Sequence, residues 1–146
     1  MVHGRVNKLG VPSFVFSREE FIAGVPILEK LAEYDVCLIV LAGFMNKISD
    51  VILQAFPGKI VNIHPALLPK YGGKGMYGMH VHEAVVKAGE RESGITIHYI
   101  NEHYDEGAII FQASCPVLPS DTPEEVASKV HALEYAHYPH VIESLL

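Results

Sequence analysis

Asn62 and His64 stand two residues apart at the end of the apolar run 59–63, so in a strand both would point to the same face. Pro65 follows at once, disfavours helical geometry at His64 and removes a ladder donor, so the strand stops and turns there. An open α/β sheet keeps its ligands beyond the carboxyl ends of its strands, which in a parallel sheet brings a carboxamide and an imidazole to one substrate. Chemistry at a carbonyl needs such groups. The amide N–H of Asn62 can donate to an oxygen that becomes negative, and His64, which ordinarily titrates near neutrality, can donate to that oxygen or to a leaving nitrogen. The plainer reading is that Asn62 caps a turn and His64 is a satisfied strand-end histidine. Asp105, in the acidic turn 101–107, offers a carboxylate that would raise and orient such a histidine, although an acidic turn residue is more often solvated or engaged in an Asx turn.

The elements that must position these residues follow the chain. Residues 1–13 carry breakers and polar groups, and 14–16 read as a short strand ending at Ser17, a good N-cap. Residues 18–33 place Phe21, Ile22, Val25, Leu28 and Leu31 near helical spacing, with Gly24 and Pro26 predicting a break. The unbroken apolar run 36–42 has the character of a parallel strand covered on both faces and is the candidate for the central strand. A short helix over 47–56, a Pro57-Gly58 turn and the strand over 59–63 complete a parallel crossover unit. The glycine-dense stretch 70–79 lacks the G-K-[ST] ending of a phosphate loop and reads as a mobile rim loop. Residues 77–89 predict a helix with Val81, Ala84, Val85 and Ala88 inward, and 95–100 and 108–113 predict two strands paired as a hairpin-like edge. Thr122 as N-cap, Pro123 at the first helical position and Glu125 completing a capping box start a last helix, with an interruption expected at Pro139. Neither a repeat nor a second domain is visible, so residues 1–146 read as one α/β domain.

A chain of 146 residues with 49% hydrophobic residues can bury a sizeable core. Its formal net charge of -6, without a dense basic run, argues against a nucleic-acid surface and for small-molecule substrates. The apolar runs are too short to span a bilayer and the first residues lack a signal-peptide core, so no membrane partner and a cytoplasmic location are expected. Cys37 and Cys115 each lie in an apolar run and read as reduced core thiols. Nine histidines raise the question of a metal, but neither H-E-x-x-H nor a Cys/His ligand spacing is present, and none is expected.

The run Asn62-Ile63-His64-Pro65-Ala66-Leu67-Leu68-Pro69-Lys70-Tyr71 resembles, nearly residue for residue, the signature of the folate-dependent formyltransferases, and within them that of the glycinamide ribonucleotide formyltransferases of purine synthesis. Relatives that act on methionyl-tRNA or hydrolyse formyltetrahydrofolate share the Asn and His but depart in the residues that follow. The resemblance covers nearly the whole chain and implies a Rossmann-like formyltransferase fold, a mostly parallel sheet flanked by helices. It implies catalytic roles for Asn62, His64 and Asp105, the last in a Y-D-E-G-A-I-I run similar to the family's L-D-x-G-x-I-I. In that family the formyl group passes from the co-substrate 10-formyltetrahydrofolate to the amine of 5'-phosphoribosylglycinamide through a tetrahedral intermediate, without metal or covalent adduct. The pterin is held by two loops, which here match Met45, Asn46, Lys47 and Ile48, and Asn101, Glu102, His103 and Tyr104. Arg18 and Glu134 match residues that contact the ribonucleotide, Glu134 toward its amine; without the family both are solvated helix charges. His80, His82 and His98 also fall in matching positions, but an H-x-H opening a helix reads as surface, and they stay outside the catalytic set.

The family normally begins one strand, helix and strand earlier, with a Gly-Ser-Asn loop for the ribonucleotide phosphate that this chain lacks. The expectation is therefore an N-terminally truncated fold, the carboxyl-terminal three quarters of the family's. Gly72 to Gly78 is one substitute phosphate site, and a bared sheet edge is one where another copy can associate. Two further readings stay open: a formyltetrahydrofolate hydrolase or other formyltransferase on the same fold, and an inactive folate-binding fragment.

Overall fold

The computed structural model describes residues 2–44, 46–101 and 107–146, and side chains from residue 5 onward within them. Helix α1 (Val2–Lys8) is followed by α2 (Arg18–Ala23) and α3 (Val25–Glu33). Ser17 caps α2 reciprocally with Glu20, and Gly24, at φ 78°, closes α2 and opens α3. The break predicted there has a physical basis beyond Pro26: a left-handed residue is required, and a Cβ at Gly24 would strike the Ser49 side chain. Residues 14–16 form no strand. Their rings pack locally instead, Phe14 on Tyr34 at 5.5 Å and Phe16 on Phe21 at 6.2 Å.

The sheet is built from β1 (Ile39–Leu41), β2 (Ile60–His64), β3 (Glu92–Tyr99) and β4 (Ile109–Pro116), in the order β1-β2-β3-β4. Helix α4 (Asp50–Ala55) makes the crossover from β1 to β2, which run parallel as predicted. The other two pairings are antiparallel, so among the described strands the sheet is mixed and not mostly parallel. An apolar run buried on both faces looks the same whichever way its neighbour runs, and this is why direction escapes the sequence pattern. The run at 36–42 is shorter than expected and lies at the edge of the described sheet, not at its centre. Pairing begins only where the Ile39 amide donates to the Lys59 carbonyl at 2.8 Å, and Cys37, ahead of the ladder, is exposed instead of buried. Strand β2 is the central element, with all five residues buried.

Helices α5 (Met79–Lys87) and α6 (Pro123–Ser144) pack on each other and cover one face of the sheet. There Ile63, Ile95 and Ile97 meet Val85 from α5 and Val126, Val130 and Tyr138 from α6. A second cluster of Leu41, Ile48, Ile52 and Ile60, with Leu28 and Leu31 of α3 against it, closes the side near β1. Of the four residues expected inward on α5, Val81 and Val85 are buried, Ala84 is half-buried and Ala88, at the helix end, is exposed. Thr122 caps α6 through the Glu125 amide. The expected interruption at Pro139 does not occur. The helix continues through it, with Pro139 on an exposed side where the carbonyl it leaves unpaired can meet water.

Candidate active site

Strand β2 ends with Asn62 and His64 only 9% and 4% exposed, both on the wall of a cleft of about 770 Å³. That volume suits an organic ligand of drug size. Asn62 lies between Leu41 of β1 and His98 of β3 in register, and its Nδ2 is 3.4 Å from His98 Nε2. His98 Nδ1 is 3.1 Å from its neighbour's carbonyl at Tyr99. A carbonyl only accepts, so Nδ1 carries the hydrogen; in the neutral ring Nε2 is then the acceptor for the Asn62 amide. This orientation leaves Asn62 Oδ1 buried without a partner among the described residues, an acceptor that an N–H-bearing ligand in the cleft would satisfy.

The segment after β2 is tied down from β3. Thr96, across from His64 in register, donates its hydroxyl to the Ala66 carbonyl at 2.7 Å and accepts from the Leu68 amide at 3.0 Å and from Gln112 Nε2 at 3.0 Å. His64 Nε2 donates to the Tyr71 carbonyl at 2.7 Å. The Tyr71 hydroxyl in turn donates to Glu90 Oε1 at 2.9 Å, with Lys70 Nζ 3.4 Å from the same oxygen. These two bonds, Tyr71's first, hold the Glu90 carboxyl below its ordinary range, and burial and that carboxylate push the Tyr71 phenol up.

Asn46, Lys47, Ile48 and Asn101 line the same cleft as Asn62 and His64, and so does Glu134 from α6. Arg18 does not line it. It is exposed at the first position of α2, whose Phe21 packs at 5.8 Å on the cleft residue Phe44. Met45, Glu102, His103, Tyr104 and Asp105 lie outside the described residues. The glycine-rich stretch 73–78 forms part of the cleft rim.

The reading of the H-x-H pair as surface holds for His80, which is exposed beside Glu83, and fails for His82, which is 2% exposed and lines the cleft. Its Nδ1 has no partner among the described residues. Burial lowers its pKa, and His131 and His64 lower it further. One position after Val81 and three before Val85, His82 belongs to the buried side of α5, and that spacing was its available signal. His131, which also lines the cleft, escaped notice; it lies one turn before Glu134, with Nδ1 3.3 Å from that carboxylate. Among the described residues no group of three or more His, Cys, Asp or Glu is placed to hold a metal ion.

Residues 2–142 match the family model described as formyl transferase. The chain belongs to the formyl transferase family. Within this family it is similar to a chloroplastic phosphoribosylglycinamide formyltransferase of Arabidopsis thaliana, with 42% identity over 93% of this chain and 48% of the relative. It is similar also to phosphoribosylglycinamide formyltransferase of Haemophilus influenzae, with 39% identity over 95% of this chain and 65% of that one. The solved phosphoribosylglycinamide formyltransferase of Streptococcus pneumoniae superposes with a TM-score of 0.89 at 36% identity, over 99% of this formyl transferase chain and 79% of its own. The formyl transferase fold is thus shared along the whole length compared, whereas the chain spans only about half of the Arabidopsis relative and two thirds of the Haemophilus one. No helix among the described residues is long and apolar enough to cross a membrane.

Proposed function

We propose that this chain, as one domain over residues 1–146, transfers the formyl group of 10-formyltetrahydrofolate to the amine of 5'-phosphoribosylglycinamide. The observation that carries the reading is the pair Asn62 and His64, buried together at the end of β2 on the cleft wall, in a chain similar to proteins named for this reaction. The neutral amine attacks the formyl carbon, a C–N bond forms, and the carbonyl oxygen becomes negative. Asn62 offers its second amide hydrogen and His64 a proton to that oxygen. The attacking nitrogen then gives up its extra proton, and the folate nitrogen takes one up. The bond between the folate nitrogen and the formyl carbon breaks, and the carbonyl re-forms with the donated proton returned to His64, so that the net transfer is of one proton from the amine to the folate nitrogen. Stabilising such an oxyanion with one preorganised donor lowers the barrier by about 3 kcal/mol.

In this reading Asp105 raises and orients His64. Met45, Asn46, Lys47 and Ile48, with Asn101, Glu102, His103 and Tyr104, hold the pterin; Arg18 and Glu134 hold the ribonucleotide, Glu134 at its amine. No metal takes part, because the carboxamide and imidazole supply the stabilisation. Two cysteines without a disulfide suit a reducing, cytoplasmic setting. A second copy is also part of the proposal: β1 has a neighbour on one side only among the described strands, and Val40 on it is 38% exposed.

The test mixes purified protein with 10-formyltetrahydrofolate and phosphoribosylglycinamide and follows loss of the formyl donor. Loss that requires the amine is expected. Formate release without any amine would point to hydrolysis instead, and an unchanged donor would overturn the activity.

A further inference from the structure

We infer that Tyr71 is the positioning residue for His64, its main-chain carbonyl holding the imidazole by Nε2–H while Glu90, gripping the Tyr71 hydroxyl, keeps that carbonyl in place. The chain of contacts is short and continuous: His64 Nε2 to the Tyr71 carbonyl at 2.7 Å, and the Tyr71 hydroxyl to Glu90 at 2.9 Å. Tyr71 makes it with a main-chain φ of 57°, a left-handed conformation that residues other than Gly, Asn and Asp seldom adopt unless their surroundings enforce it. The surroundings here are the ring's packing against the buried cluster of β2, β3, α5 and α6, and the carboxylate that anchors its far end. Glu90 itself lies just ahead of β3, and Tyr71 joins it to the imidazole, through its hydroxyl at one end and its main-chain carbonyl at the other.

The consequence is chemical. A carbonyl accepts and never donates, so Nε2 of His64 keeps its hydrogen in both the neutral and the charged ring. The proton that comes and goes is therefore on Nδ1. A histidine with one nitrogen committed to a fixed carbonyl has one tautomer and one ring orientation, and such preorganisation lowers the barrier of a proton-transfer step without adding a contact to substrate.

The kinetic part of this inference rests on the proposed formyl transfer; the tautomer does not, so the two are tested separately. Long-range proton–nitrogen spectra of protein carrying 15N-histidine, with His64→Gln or His64→Asn for assignment, should show neutral His64 with hydrogen on Nε2 and a bare Nδ1. Hydrogen on Nδ1 with a bare Nε2 would overturn the inference whether or not the protein turns over. Tyr71→Phe retains the packed ring and loses the anchor. It should give a mixture of tautomers and lower kcat about 10-fold, with KM for both substrates changed less than about 2-fold. Glu90→Leu should match it, Glu90→Gln, which keeps an acceptor, should recover most of the loss, and the double variant should be no slower than either single one. Additive losses, or equal losses in Glu90→Gln and Glu90→Leu, would assign Glu90 a role other than holding Tyr71.

Discussion

The hydroxyl of Tyr138, on α6, donates to the main-chain carbonyl of Leu41, at the end of β1, across 2.7 Å and 97 residues of chain. Both residues line the cleft, and Tyr138 is 8% exposed, so the bond fixes the last helix to the edge strand beside the candidate site. Burial, and then the charge of Glu134, push this phenol's pKa far up, so it stays a donor at any ordinary pH. Tyr138→Phe keeps the ring and leaves the Leu41 carbonyl without this partner. It should lower the free energy of unfolding by about 1–3 kcal/mol, read as a lower urea midpoint with an unchanged slope.

Catalysis should respond to Asn62 and His64 in a different way. Neither side chain supports the core by bulk, whereas both face the cleft at the point where charge develops in the proposed reaction. Asn62→Ala and His64→Ala should each lower kcat about 10²–10³-fold, with circular dichroism unchanged. Turnover within a few-fold of the parent in a folded His64 variant would remove it from the mechanism.

Thr96 is fully buried, and its hydroxyl uses its one donor and both acceptor sites on Ala66, Leu68 and Gln112. Thr96→Val matches its shape and strands the Leu68 amide and the Ala66 carbonyl in the interior. We expect a loss of about 3 kcal/mol in stability, whereas Thr96→Ser, which retains the hydroxyl and loses one methyl, should cost about 1 kcal/mol. If the two variants were equally destabilised, packing and not the hydroxyl would be what Thr96 contributes to the turn after His64.

The candidate site was legible where local chemistry decides structure. Pro65 stops the strand and so puts Asn62 and His64 at its end; Ser17, Gly24 and Thr122 mark helix boundaries through caps that depend on a few neighbouring residues. What escaped depends on distant chain. β3 runs antiparallel to β2 because of the path through α5, not because of anything in its own alternation. Cys37 is apolar in context yet exposed because the ladder starts two residues later. The left-handed backbone of Tyr71 has no signature in a Lys-Tyr-Gly-Gly sequence, since it is imposed by Glu90 and the core together. Likewise the burial of His82 follows from α6 lying over α5 and lining the same cleft.

His82 gives the pH dependence. Its ring is buried, with His131 and His64 as the titratable neighbours that lower its pKa from 6.5 after burial itself. Folding therefore disfavours the charged ring. Below pH 6.5 the unfolded chain binds a proton there that the folded chain does not, so stability falls with pH until the folded ring is protonated as well. Above pH 6.5 both states are neutral and this contribution is flat. His82→Gln removes the titration and keeps a polar side chain. Urea unfolding of both proteins at about pH 7.5 and about pH 5.5 should show the parent losing more stability on acidification than the variant, since the remaining histidines contribute to both and largely cancel in the difference. Equal losses would mean that His82 takes up its proton in the folded chain as readily as in the unfolded one, through water or a carboxylate reaching its Nδ1.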